Sequence, residues 1–427
     1  MACALGDNLN CLCFTENSGP QVTVSAHADR RGSAQSGGLR VAITVGLTTV
    51  LMGLTAPGVA PQDAPPGRSS WNREGAARYL DERMDAWFAK AKKLQTGQRV
   101  TACVSCHTTV PYVLSRSVLR RAMHVSRATP QEVRVLEEAT RRVETYGAHQ
   151  PLYDSNEQKK TESRGTEAVL NALLLARADT EQNRRDASEP TRKAFRRLWE
   201  TQRSDGAWDW LDFGLEPFES VDAAYYGATL AALAIGTVPA YSTSQATDAT
   251  VGIDKLRGYL KEKYPQQSLF NRAWVLLAST RLKDLLTRAQ REALIAELQS
   301  RQQGDGGWSL QTLGPWRWSR SAAPFRAPGR LDASLLAKSD GYATGLIVYT
   351  LREAGLPVDH PAVRKGLQWL RANQQDVQVG QQIRPAWRTH SINYDREHGG
   401  EEGEPWPRMF MSDAATAFSV LALVGSD

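Results

Sequence analysis

The feature that most narrows the choice of fold is a turn that recurs along the chain. Gln202-Arg-Ser-Asp-Gly206-Ala-Trp208 and Gln302-Gln-Gly-Asp-Gly306-Gly-Trp308 share the pattern Gln-x-x-x-Gly-x-Trp. Each follows a helical stretch ending in Leu-x-x-x-Gln, and a third copy opens at Leu367 to Gln374, then carries an insertion before Trp387. A glycine at this point ends a helix in a left-handed turn, and the tryptophan can stack back against the glutamine of the helix end. After each turn comes a small polar cap and an apolar helix: Ser220-Val-Asp222-Ala-Ala, Lys338-Ser-Asp340-Gly-Tyr-Ala-Thr and Met411-Ser-Asp413-Ala-Ala-Thr. Serine and aspartate before an apolar run are N-cap signals. Glu162 to Glu167 gives a looser first copy, and Asn271 opens another such helix.

The helices expected at 225–235, 342–354 and 414–424 are apolar on most faces, as inner helices must be. Those at 190–203, 285–302 and 361–374 carry more charge, which suits an outer layer. A unit of this kind cannot bury its apolar face alone, so neighbours have to stack. The fold class expected is all-α, with helical hairpins arranged as a toroid.

These turns and paired helices resemble the prenyltransferase and squalene–hopene cyclase repeat family. The resemblance covers roughly residues 160–427. It implies an α/α toroid with inner helices around a central cavity, and turns that staple the outer helices together. The chemistry of that family carries over poorly. Squalene–hopene cyclases protonate an alkene with an Asp-x-Asp-Asp motif. The nearest match, Ser220-Val221-Asp222-Ala223, keeps only Asp222. Asp222 is therefore the one candidate catalytic acid, and because Asp340 and Asp413 recur at equivalent places, a helix-capping role is the favoured one. Protein prenyltransferases hold zinc with Asp, Cys and His, but no cysteine follows Cys106 here.

Five cysteines are present, at 3, 11, 13, 103 and 106. The last two belong to Cys103-Val104-Ser105-Cys106-His107. This segment resembles c-type haem attachment, which implies one covalent haem c on Cys103 and Cys106 with His107 as proximal iron ligand. Candidates for a sixth ligand are Met123, His124 and His149. Arg116, Arg120 and Arg121 are expected either to meet haem propionates or to form a solvated helix face. The alternatives for 103–107 are a Cys103–Cys106 disulfide and a zinc site completed by another histidine.

Residues 41–56 form an apolar run behind Arg30, Arg31 and Arg40, the pattern of a secretory leader. Cleavage is expected before Val59, and the run is short for a membrane span. The expected organisation is a leader over 1–58, a Pro/Gly-rich linker over 59–70, a helical haem-binding segment over 71–155 and the toroid over 156–427. The expected location is the periplasm or another exported compartment, with membrane association only through an uncleaved leader. The net charge of +6 is thin over 427 residues and no long Lys/Arg run is present, which argues against nucleic acid.

The aromatic residues Trp210, Phe213, Tyr225, Tyr226, Trp274, Trp316, Trp318, Tyr342 and Trp387 lie near turn ends or inner-helix starts. They are expected either to line a pocket for an apolar, isoprenoid-like ligand or to pack between helices. The insertions 314–337 and 377–407, the second carrying His390 and His398, are expected on the same side as the turns, as a lid. The function expected is electron transfer through the haem, coupled to binding or oxidation of an apolar ligand, with a redox partner protein. A divergent terpenoid cyclase and a non-enzymatic interaction module are the alternatives.

Overall fold

The computed structural model describes residues 70–96, 98–146, 151–238, 241, 247–317, 333–393 and 409–426. Residues 67–427 form one compact unit. The principal helices are α1 (Arg73–Lys90), α2 (Thr109–Ala122), α3 (Pro130–Glu144), α4 (Glu157–Glu181), α5 (Glu189–Glu200) and α6 (Ala223–Thr237). Then come α7 (Thr247–Lys263), α8 (Leu269–Ser279), α9 (Arg288–Ser300), α10 (Gly341–Glu353), α11 (Pro361–Ala372) and α12 (Phe410–Leu423). Two antiparallel hairpins interrupt them: β1 (Lys93–Thr96) with β2 (Arg99–Ala102), and β3 (Gln375–Val379) with β4 (Gln382–Ala386).

The even-numbered helices pack side to side as a closed ring, in the order α2, α4, α6, α8, α10, α12 and back to α2. The odd-numbered helices cover it from outside. The all-α toroid expected from the sequence therefore stands. Burial explains the two layers. Along α6 the buried residues run through Tyr225, Tyr226, Ala228, Leu230, Ala231, Leu233 and Ile235, on every face. Along α5 they are Thr191, Ala194, Phe195 and Leu198, a single stripe at i, i+3, i+4 and i+7.

The recurring turns do what the spacing implied. Gln202 donates through Nε2 to Gly206 O at 3.0 Å and to Gly252 O of α7 at 2.9 Å. Gln302 repeats this on Gly306 O at 2.8 Å and Ala362 O of α11 at 2.9 Å. Gly206 and Gly306 have φ of 95° and 93°, and a Cβ at Gly206 would collide with the Lys255 carbonyl of the next outer helix. Trp208 and Trp308 each donate at 2.7 Å to a carbonyl of the preceding outer helix, Leu198 O and Leu298 O. Trp387 reaches Leu370 O at 2.8 Å despite the β3–β4 insertion.

The ring starts earlier than the expected border at 155/156. Helices α1, α2 and α3 are members of the two layers, not a separate haem segment. The third glutamine shows the closure. Gln374, just after α11, accepts from Asn72 N at 2.7 Å and donates to Asn72 O at 3.1 Å, tying the last outer helix to the N-cap of the first. Among the described residues no helix is long and apolar enough to cross a membrane. The leader and linker lie outside the described residues.

Candidate functional site

All inner helices begin at one end of the ring, where the outer-to-inner connections cross it. The segment 103–107 lies in the first of these, between α1 and α2. β1 and β2 pair Lys93 with Ala102 and Thr96 with Arg99, and Glu138 of α3 accepts from Ala102 N at 2.7 Å. This delivers Cys103 to the ring's edge, where its carbonyl accepts from Trp87 Nε1 at 2.7 Å. Ser105 then caps α2, its Oγ accepting from Thr109 N at 3.0 Å and Thr108 N at 3.3 Å.

His107 is buried, stacked on Phe410 of α12 at 3.9 Å between centroids and edge-on to Trp87 at 5.2 Å. Its Nδ1 is 3.0 Å from Thr108 Oγ1, and Thr108 donates to Asp413 Oδ2 at 2.7 Å. The single hydroxyl proton is thereby committed to the carboxylate, so the oxygen accepts from Nδ1–H of the imidazole. Asp413 also takes a two-pronged ion pair from Arg83, at 2.6 and 3.0 Å, and the Tyr79 hydroxyl at 2.9 Å. Tyr79, Arg83 and Trp87 stand at i, i+4 and i+8 on α1, one face of the helix. That polar stripe was visible in the sequence and was missed.

Cys106 carries a free, buried thiol, so the two cysteines of the motif are not joined to each other. Burial first, and then the Glu219 carboxylate, push this thiol well above its ordinary range. It stays protonated and poorly nucleophilic. Cys106 lies within electrostatic range of Tyr226 and Tyr342, which sets the motif near an aromatic chamber inside the ring. Tyr226 of α6 meets Trp274 of α8 edge-on at 5.1 Å, and Trp274 meets Phe418 of α12 at 5.4 Å. Phe418 meets Tyr342 of α10 at 5.5 Å. Phe218, from the connection before α6, lies 5.5 Å from Tyr226 and 5.8 Å from Tyr342.

Three polar atoms in this chamber have no hydrogen-bond partner: Tyr226 Oη, Trp274 Nε1 and Tyr342 Oη. Their residues are 0%, 1% and 0% exposed. Trp274 stands close enough to Tyr342 to lower its pKa as a hydrogen-bond donor does, though outside strict hydrogen-bond geometry. Burial, as the main cause, holds both phenols far above their usual pKa, so both remain donors. A buried donor without a partner costs about 1–3 kcal/mol, and three together mark a place where a water or ligand oxygen belongs.

The three aspartates that look alike in the sequence differ here. Asp340 is a true N-cap, accepting from Tyr342 N at 3.0 Å and Ala343 N at 2.9 Å. Asp413 lies inside α12 and holds Arg83. Asp222 occupies the N-cap position of α6 but its side chain caps nothing, and it lies 3.5 Å from Arg317. Burial raises its pKa. Nearby Glu216 is pushed up to about 7, chiefly by burial. Its carboxylate accepts from Ser220 Oγ at 2.8 Å and Arg317 N at 3.0 Å, while Asn393 grips its backbone. Sequence reasoning passed over Glu216, since nothing about an isolated Glu-Pro pair signals burial.

Of the expected sixth ligands, Met123 and His124 are not brought to His107. Met123 and His124 follow the far end of α2, so 14 helical residues at 1.5 Å each put them about 20 Å away. His124 is exposed, with φ of 58°. His149 and His398 lie outside the described residues, and His390 is half-buried. Arg116 pairs with Asp81 through two 2.9 Å bonds and Arg120 with Glu132, while Arg121 is exposed. Among the described residues no group of three or more His, Cys, Asp or Glu could hold a metal ion.

No family model and no curated protein matches this chain. Solved structures that match include one described as a UGL variant with dGlcA-Glc-Rha-Glc, at 11% identity and TM-score 0.45, over 82% of this chain and 94% of that one. Another is the unsaturated glucuronyl hydrolase responsible for the degradation of glycosaminoglycan from Bacillus sp. GL1, at 12% identity and TM-score 0.47, over 82% and 95%. These matches correct the family resemblance drawn from the turns and from Cys103–His107. The toroid class is common ground, but the matched structures named here are glucuronyl hydrolases, not prenyltransferases or squalene–hopene cyclases. Nor does any comparison support a cytochrome-like segment or electron transfer, so both are withdrawn. Likeness at this level carries no further argument, and the glycosidic chemistry of those proteins is not transferred.

Proposed function

We propose that this chain is an exported protein whose toroid receives a small, largely apolar molecule carrying a carbonyl or hydroxyl oxygen, held by Tyr226, Trp274 and Tyr342. The observation that carries this is the set of three buried polar atoms without partners in an aromatic enclosure. Apolar walls with a few convergent donors are the usual make-up of a small-molecule site. Neutral donors of this kind suit an uncharged oxygen better than a carboxylate. The basic flank and apolar run over 30–56 support export.

The test is titration of the full chain with the naphthyl ketone prodan, read by energy transfer from tryptophan. Binding is expected, and the pair Tyr226→Phe with Tyr342→Phe should weaken it roughly thirtyfold, two lost hydrogen bonds of about 1 kcal/mol each. Absent binding, or unchanged affinity in the double variant, overturns the reading. So does an intact mass showing one haem retained through denaturation, which is the sequence expectation for Cys103 and Cys106.

A further inference from the structure

The inner helices end at the opposite mouth of the ring, around a cleft of about 370 Å³. Five of the six inner helices, or the residues just after them, contribute to it. Val118 comes from α2, Arg177 from α4, Arg281 from the turn after α8, Tyr349 and Arg352 from α10, and Leu421 from α12. Helix C-termini carry negative partial charge, so cations there need no ligand to explain them. Arg352 fits that account: it donates to Ala422 O at 2.5 Å, Val424 O at 3.0 Å and Gly425 O at 3.0 Å. The other two do not. Arg177 turns its Nε to Glu181 Oε1 at 3.2 Å, an ion pair outside hydrogen-bond geometry that leaves its two terminal nitrogens for the cleft. Glu181 itself is held above the ordinary carboxylate range, mainly by burial. Arg281 spends one terminal nitrogen on Glu353, at 2.5 Å. Three guanidiniums thus line one cleft, with Glu353 in the lining and Glu181 beside Arg177 as their carboxylates, and Val118, Leu421 and Val424 supply apolar lining.

We propose that this second mouth binds an oxyanion carried on an aliphatic chain, with Arg177 and Arg281 forking onto the oxyanion and the apolar lining taking the chain. Arginine presents paired donors in a geometry that suits phosphate and carboxylate. This site is separate from the aromatic chamber and does not depend on it.

The experiment is calorimetric titration of the full chain with monomeric dodecyl phosphate, dodecanol and inorganic phosphate in parallel. Dodecyl phosphate should bind at least tenfold more tightly than either of the others, and more weakly as salt rises. Arg177→Gln with Arg281→Gln should lower that affinity at least tenfold, while Tyr226→Phe with Tyr342→Phe leaves it unchanged. Glu353→Gln, which frees Arg281, should tighten binding several-fold and provides a readout if the arginine pair fails to fold. Equal binding of dodecanol or of inorganic phosphate, or loss of affinity in Glu353→Gln, overturns the proposal. Unchanged affinity in the folded arginine double variant does the same.

Discussion

The first outer-to-inner connection and the later ones latch onto their outer helices in opposite senses. In three of the later ones, before α6, α10 and α12, the tryptophan sits in the turn and donates back to the helix: Trp208 to Leu198 O, Trp308 to Leu298 O, Trp387 to Leu370 O. In the first, Trp87 sits on the helix and donates forward to Cys103 O in the connection. Those three connections are then clamped to the next outer helix by glutamine. The first is instead held from inside, through Thr108, Asp413 and Arg83. Placing the anchor on the helix frees the turn from carrying a large aromatic, and Cys106 and His107 occupy that place beside the chamber. The same mechanical task is done by two chemistries, and only the glutamine-clamped one has a repeated spelling.

Breaking the inside anchor should have the largest effect. Asp413→Ala leaves Arg83 charged and buried, which costs about 3–5 kcal/mol. Chemical denaturation should show that loss, with near-ultraviolet dichroism reporting the freed His107–Phe410 stack. A loss below about 1 kcal/mol would mean the first connection is held by something else.

Titration separates the two regions next. Glu216 pins the connection before α6 and has its pKa raised to about 7 from 4.5. A raised carboxyl binds its proton more tightly in the native state, so its contribution is fully present below about pH 4.5 and is lost as pH climbs through 7. The span corresponds to about 3 kcal/mol at most. Unfolding free energy measured from pH 4.5 to 8 should fall with this slope, and Glu216→Gln should flatten it. A slope unchanged in that variant would assign the effect elsewhere.

The smallest effect belongs to a single clamp. Gln302→Ala removes two hydrogen bonds from a half-buried site, a loss of about 1 kcal/mol at the midpoint of a urea transition. Hydrogen exchange should rise at the start of α11 while the first connection keeps its protection. Exchange rising equally at both would deny that the connections are anchored independently.

Much of the ring could be read from residue order. Helices apolar on every face, such as 223–237 and 410–423, cannot be outer ones, and stripes such as Ala194, Phe195 and Leu198 cannot be inner ones. The turns named their own staples. The first hairpin escaped because its connection carries neither the glutamine nor the turn glycine, and Cys-x-x-Cys-His drew attention to a different chemistry. Of the chamber, Tyr226, Trp274 and Tyr342 were among the aromatics singled out. What order could not supply was proximity: three positions on three helices, far apart in the chain, whose rings meet in one aromatic cluster. Nor could it separate Asp222, Asp340 and Asp413, since the difference lies in what stands opposite each of them.

The clamp from Gln374 to Asn72 has one more consequence. Arg371, a few residues earlier, donates to Ser426 O at 3.0 Å. The two ends of the folded body thus come together at the tip of α11. Stitching them with a short peptide and opening the chain at an exposed bend, such as the one holding Asp284, would give a circular permutant that keeps every neighbour relation in the ring. For this architecture, which hairpin is made first is a matter of biosynthesis and not of geometry.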